Sequence, residues 1–202
     1  MRTEMRNTYT RRAVLAGGTA AAAMAAWPVQ ALTVSSARVL IGKVVDEVNR
    51  VIASGKSEKA MFVEFEALFV RYSDVSAIAR SALGPPARTA SAAEMAAFTK
   101  AFQGYISRKY GRRFREFIGG RIEVTDAKPL NSYFEVVSIA YLQGEAPFDL
   151  RWHVSDRSGR ELFFNIIIEG VNMLASERAE IGAMLDRRKG SIAGLIEDLN
   201  AV

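Results

Sequence analysis

The sequence predicts an α+β domain with N-terminal helices, a four-stranded antiparallel sheet and two C-terminal helices. Two observations carry this reading. Apolar residues recur at steps of three and four up to Gly119-Gly120 and again after Asn172, which is the period of a helix. Between Arg121 and Ile168 the period falls to two, and short turn-forming links at Lys128-Pro129, Gly144-Glu145 and Ser158-Gly159 divide the run into neighbouring strands.

The elements follow in order. From Ser35 to Ala53, Val39, Leu40, Val44, Val45, Val48, Val51 and Ile52 mark an amphipathic helix that stops at Ser54-Gly55. Ser57 caps a second, with Met61, Phe62, Phe65, Leu68, Phe69 and Tyr72 along one broad side. Asp74 precedes a short helical segment, Val75 to Leu83, which Gly84-Pro85-Pro86 ends. Ser91 and Glu94 form a capping box that opens the longest helix, predicted to run to about Phe117.

That helix bears an apolar stripe of Met95, Phe98, Phe102, Tyr105, Ile106, Tyr110 and Phe114, backed by Lys100, Arg108, Lys109, Arg112, Arg113 and Arg115. Such a face either meets lipid headgroups or turns its stripe to the core and its charges to water. The strands are expected at Arg121–Thr125, Tyr133–Leu142, Phe148–Asp156 and Glu161–Ile168. Met173–Arg188 and Ser191–Leu199 return to helix, with Asn172 as the first cap and Gly190 between them.

Ahead of this domain lies a different kind of segment. Arg11 and Arg12 precede an uncharged run from Ala13 to Ala26, and Trp27-Pro28-Val29-Gln30-Ala31 follows. A basic start, a short apolar run and small residues before a cut describe an export signal over residues 1–31, cleaved after Ala31, with residues 32–202 as one domain. The run is too short and too rich in Ala and Gly for a good membrane span. The paired arginines of "TRRAVLAGG" suit twin-arginine export, and the Sec route stays open.

Without residues 1–31 the chain loses four arginines and one acid, so its formal charge falls from +5 to +2. That leaves no strong electrostatic case for nucleic acid. The chain has no cysteine and one histidine, so a disulfide staple is excluded and no zinc or iron–sulfur ligand set is in view; a carboxylate calcium site stays open. No cofactor is expected.

Catalytic chemistry is sparse. His153 alternates with Trp152 and Val154 and should face away from the oily side of its strand, while Ser155 and Asp156 are merely strand neighbours with no triad geometry implied. No serine elbow, phosphate-cradling glycine loop or zinc-protease pattern is present, and "FIGGR" lacks the lysine and hydroxyl that bind phosphate. Glu169, at the end of the last strand, reads as an exposed strand-end acid.

The sheet is apolar on both sides. In "FFNIIIEGVNML", strict alternation sends Leu162, Phe164, Ile166 and Ile168 one way and Phe163, Asn165 and Ile167 the other. On the second strand Tyr133, Val137, Ile139 and Tyr141 share one face, and Phe134, Val136, Ala140 and Leu142 the other. Either helices cover both faces, or helices cover one while the other lines a cavity, and periodicity does not decide between them.

The layout resembles the MlaC-type, or toluene-tolerance, family of periplasmic lipid-binding proteins. The segments that carry the resemblance are "FEALFVRYSDVSAIARSALG", "FTKAFQGYISRKYGRRFREF", "YFEVVSIAYL" and "LRWHVSDRSGRELFFNIIIEGVNMLASERAEIGAMLDRRKGSIAGLIEDL". The chain departs from the family's usual pattern at Asn165 (an aspartate elsewhere), Asn172 (a serine), Ser176 and Ile181 (a tyrosine and a phenylalanine).

The resemblance implies an apolar cavity between sheet and helices that holds phospholipid tails. It further implies a periplasmic shuttle, the substrate-binding component of an ABC-type lipid transport system that maintains outer-membrane lipid asymmetry. Its partners would be an inner-membrane transporter complex and an outer-membrane lipoprotein complex. A hopanoid-associated branch of similar length offers a hopanoid-type lipid as the alternative cargo. On this reading the walls are Phe102, Tyr105, Tyr110, Val137, Ile139, Tyr141, Trp152, Phe164, Ile166 and Ile168, with no residue doing bond chemistry. Two readings of other classes compete. A small enzyme with a cone-shaped pocket would need an acid or base inside it, from Glu135, Asp149 or Glu169; an envelope interaction protein without a ligand would have a solid interior.

Overall fold

The computed structural model describes residues 32–111 and 117–201; the predicted export signal, and Phe114 with the arginines around it, lie outside the described residues. The helices are α1 (Val34–Ile52), α2 (Glu58–Tyr72), α3 (Val75–Leu83) and α4 (Ala92–Gly111), with a 3₁₀ turn at Pro85–Arg88 between the last two. The strands β1 (Arg121–Leu130), β2 (Tyr133–Tyr141), β3 (Phe148–Ser155), β4 (Leu162–Ile168) and β5 (Val171–Asn172) follow, and α5 (Met173–Arg187) and α6 (Ile192–Ala201) close the chain. The architecture is the expected α+β arrangement, with one strand more than the four predicted.

Local chemistry explains most boundaries. Thr33 and Ser36 cap α1 reciprocally through side chain and backbone. Ser57, Asp74 and Asn172 each accept a backbone N–H three residues on, at the starts of α2, α3 and α5. The Ser91–Glu94 box forms as expected, with both Ser91 N and Glu94 N satisfied.

The sheet is an antiparallel meander in the order β1-β2-β3-β4-β5. Lys128 and Pro129, expected to separate two strands, instead belong to β1, which turns at Asn131 and Ser132. Pro129 is tolerated because β1 is an edge strand, where a missing N–H breaks no ladder on its open side. The extra strand β5 arises because Glu169 and Gly170, both at positive φ (49° and 81°), make a two-residue hairpin that folds Val171 and Asn172 back on Ile168 and Ile167. Farther along, Asp74 N donates to Phe163 O at 2.8 Å, so the two ends of β4's outer edge are covered by different parts of the chain.

One face of the sheet, here the near face, carries Ile122 and Val124 from β1, Val136, Ser138 and Ala140 from β2, and Leu150, Trp152 and Val154 from β3. Helix α1 lies across it, burying Ala37, Ile41, Val44, Val45 and Val48, and Asn49 clamps the crossing: its side chain both donates to Ile122 O and accepts from Ile122 N, each at 3.0 Å. Together with Met61, Phe65 and Leu68 of α2 these residues form one apolar cluster. A second cluster joins α3, α4, α5 and α6 around Phe98, Phe102, Ile181, Leu195 and Leu199. The apolar stripe of α4 therefore serves this helical core.

The chain reaches β1 through a close backbone approach at Gly120, where a Cβ would sit 2.5 Å from the carbonyl oxygen of Tyr141 and 3.0 Å from Leu142. Because the obstacle is backbone, no rotamer change relieves it. Gly120→Ala is expected to destabilise the fold by about 2 kcal/mol, read as a fall in the urea midpoint with the slope unchanged.

Candidate functional site

The two apolar clusters do not close on each other. Between them lies a cavity of about 390 Å³, within the range of small-molecule sites. Its deep wall is Val44, Val45 and Val48 from α1 with Phe65, Leu68 and Phe69 from α2. The sheet contributes Ile122, Leu150, Trp152, Phe163, Phe164, Ile166 and Ile168, and the helical side contributes Ile78, Ile106, Ser107 and Tyr110. Leu142, Glu145 and Phe148, around the β2–β3 link, Glu169 in the β4–β5 turn, and Met173 and Leu174 at the start of α5 also line it; both glutamates are exposed, so the mouth lies there.

On the same face of the sheet, Ser138 and Ala140 of β2 are fully buried. The Ser138 hydroxyl also accepts the indole N–H of Trp152 at 2.9 Å, which satisfies a buried donor and holds the large ring on the wall.

The structure divides the ten residues expected as walls. Tyr110, Trp152, Phe164, Ile166 and Ile168 lie on the cavity. Phe102 and Tyr105 sit in the helical cluster instead, Phe102 stacked 5.7 Å from Phe98. Val137, Ile139 and Tyr141 are on the sheet's far face, half-buried, and they share it with charged residues. Arg121 lies 4.1 Å over the Tyr141 ring, Arg121 pairs with Glu123 and Arg151 with Asp149, each at 2.7 Å, and their stems cover the apolar residues between them. This second oily face is shielded by snorkelling side chains.

Strict alternation also fails in β4. The register shifts at His153/Val154, so Phe163 pairs with Val154 on the near face, where its ring meets Trp152 edge-on at 5.3 Å. Phe164 takes up the extra position of this bulge, with its ring 5.4 Å from Tyr133 and 5.8 Å from His153. The cavity residues of α1 and α2 were legible as amphipathic stripes, but nothing in a stripe tells a side chain that meets a strand from one that meets a void.

Of the candidate acids and bases, Glu135 and Asp149 are on the far face. Glu135 is buried beside Lys128 at 3.2 Å, His153 at 3.6 Å and Arg151 at 3.9 Å. Glu169 is exposed at the mouth. A buried acid that the sequence reading did not single out, Glu177 of α5, reaches the cavity wall. Its Oε1 accepts from Lys109 Nζ at 2.7 Å and from the Tyr110 hydroxyl. Burial raises the Tyr110 hydroxyl well above the ordinary phenol value, and the Glu177 carboxylate raises it further. Burial lowers the Lys109 ammonium, yet its bonds to Glu177 and Glu180 outweigh this and hold it above the ordinary lysine value.

His153 takes part in a relay to α5. Asn165 Oδ1 accepts from Leu174 N at 3.1 Å, which turns its amide nitrogen to His153 Nδ1 at 3.3 Å. Nδ1 is then an acceptor and the ring proton sits on Nε2, toward Glu135. Burial pushes the imidazole below its ordinary value of 6.5, partly opposed by Glu135.

The neutral ring is thus favoured in the fold. As pH falls below about 6.5 the unfolded chain takes up a proton that the folded chain resists, so stability is full above that pH and declines below it. Because this is the single histidine, the melting temperature is expected to fall between pH 7 and pH 5.5, and His153→Gln to flatten that slope.

The family model described as MlaC protein matches residues 42–201. Among solved structures, the chain is similar to a phospholipid-binding protein from Ralstonia solanacearum, determined in complex with a phospholipid. The TM-score is 0.70 at 17% identity, over 82% of this chain and 95% of that one. At that identity the likeness concerns the fold.

Proposed function

The chain belongs to the MlaC family, and on that premise we propose that it carries phospholipid, sheltering the acyl tails in the cavity between sheet and helices. The observation that carries this reading is the cavity itself: about 390 Å³, walled by aliphatic and aromatic side chains and open beside Glu145 and Glu169. The phospholipid complex of the structural neighbour supports the choice of ligand. Family and neighbour together point to binding or transport, not catalysis.

The finer reading is a periplasmic shuttle. The segment over residues 1–31 would export the chain, and no described helix is long and apolar enough to cross a membrane. The carrier would then exchange its cargo with an inner-membrane transporter complex of ABC type and an outer-membrane lipoprotein complex. Sheltering a methylene from water contributes about 0.8 kcal/mol, so a dozen contribute on the order of 10 kcal/mol, enough to hold a lipid in solution. A bilayer shelters the same methylenes equally well. Transfer therefore runs near balance, and direction has to come from the partners.

Native mass spectrometry of the protein purified without detergent is expected to show a bound lipid and to give its mass. A protein that is empty and also takes nothing from vesicles overturns the reading. Ile166, half-buried on the wall, supplies the sharper test. Ile166→Asp places an unpaired carboxylate against the alkyl chain and is expected to abolish lipid capture while the helical circular dichroism signal is kept. Capture undiminished by that charge places the lipid elsewhere.

A further inference from the structure

We infer that removal of residues 1–31 leaves Leu32 with a free α-ammonium that pairs with the Asp156 carboxylate, so that processing itself pins the start of α1 to the β3–β4 link; this rests on the export reading above and not on the cargo. The Leu32 nitrogen lies 3.2 Å from Asp156 Oδ2, 124 residues away in the chain. The Leu32 side chain is 8% exposed and belongs to the apolar cluster on the sheet. Its burial fixes the nitrogen beside Asp156 without the ordering cost of a long charged side chain.

The cut is a hydrolysis. Water adds across the Ala31–Leu32 peptide bond: the Ala31 carbonyl carbon takes the hydroxyl and departs as a carboxylate, and the Leu32 nitrogen leaves as an amine that takes up a proton at neutral pH, since an α-amine ordinarily titrates at about 8. A neutral N–H donor to Asp156 thereby becomes a cationic one. Because Leu32 is buried in the finished fold, the cut precedes its docking. The new charge stands one residue before the Thr33 cap, where the positive end of the α1 dipole disfavours a cation, and α1 has no acid in its first turn. The β3–β4 link supplies two acids instead: Asp156 at Leu32 N, and Glu161, whose Oε1 accepts from Ser36 Oγ at 2.8 Å. Among the described residues no lysine or arginine pairs with Asp156. Arg157 and Arg160 of the same link bond to Ser132 Oγ at 2.6 Å and Arg71 O at 3.3 Å, and Arg38 of α1 bonds to Thr125 O at 3.3 Å. With Asn49 clamped to Ile122 near its other end, α1, part of the deep wall of the cavity, is then held at both ends.

The test expresses the full chain in a Gram-negative host and recovers the exported protein. Its N-terminal sequence and intact mass are expected to start at Leu32. Asp156→Asn keeps an oxygen acceptor for the N–H and removes only the negative charge. In urea unfolding that variant is expected to lower the folding equilibrium constant about fivefold at pH 7, the upper end for an ion pair at the surface. At pH 10, where the α-amine is neutral, the difference from wild type is expected to vanish. A mature form starting at Ala31 restores a neutral amide at Leu32 N without touching Asp156, and is expected to show the same loss at pH 7. An exported protein that starts anywhere but Leu32 overturns the inference together with the assigned cut, and leaves lipid capture untouched. A protein that starts at Leu32 but loses nothing on Asp156→Asn at pH 7, or loses as much at pH 10, overturns the ion pair and leaves the export reading standing.

Discussion

A cavity walled by hydrocarbon side chains tends to close, because every Å² of apolar surface that its walls bury on each other stabilises by about 25 cal/mol. Here the walls are fixed at their seams by polar clamps, and the rest of the architecture depends on them. Asn49 ties α1 to both backbone groups of Ile122 on β1. Asn165 ties β4 to the first turn of α5 through Leu174 N. Lys109 and Tyr110 tie α4 to α5 through Glu177. Hydrogen bonds have fixed lengths, so elements joined this way cannot slide together to fill the space as a purely apolar contact would allow.

The clamps also explain how a protein without cysteine can hold a hollow. Two separate apolar clusters do the stabilising, one where α1 and α2 pack on the sheet and one among α3 to α6, each with fully buried side chains of its own. Because each cluster is complete, the space between them does not have to be filled for the fold to stand. The Trp152–Ser138 bond holds the largest wall residue in place on the sheet.

Local reading was accurate where the chemistry is local. The caps at Ser57, Asp74, Ser91 and Asn172 all form, since a cap needs only a side chain and an N–H two or three residues away. The candidate walls fared differently, and each departure has a cause at longer range. Val137, Ile139 and Tyr141 are as apolar as a core face, but the charged side chains of Arg121 and Arg151, one strand away, cover that side. Phe163 joins Ile166 and Ile168 on the near face because the bulge opposite His153 adds a residue to β4, and nothing in the spelling of "LFFNIII" marks it. Phe102 and Tyr105 lie on the α4 stripe, yet the part of that stripe they occupy meets other helices. Glu177 and Lys109 are far apart in the chain, so neither a buried carboxylate nor its partner could be suspected from spacing.

By itself, then, the sequence determined the order and kind of the elements, the antiparallel meander and the excess of apolar surface on the sheet, because periodicity, capping and turn chemistry act over a few residues. Only the tertiary structure decided which of the two apolar faces meets the cavity, where the mouth lies and which acid is buried beside it. Those depend on strand register, on one bulge and on contacts between residues distant in the chain, and a one-residue shift in register exchanges the faces of a whole strand without changing its composition.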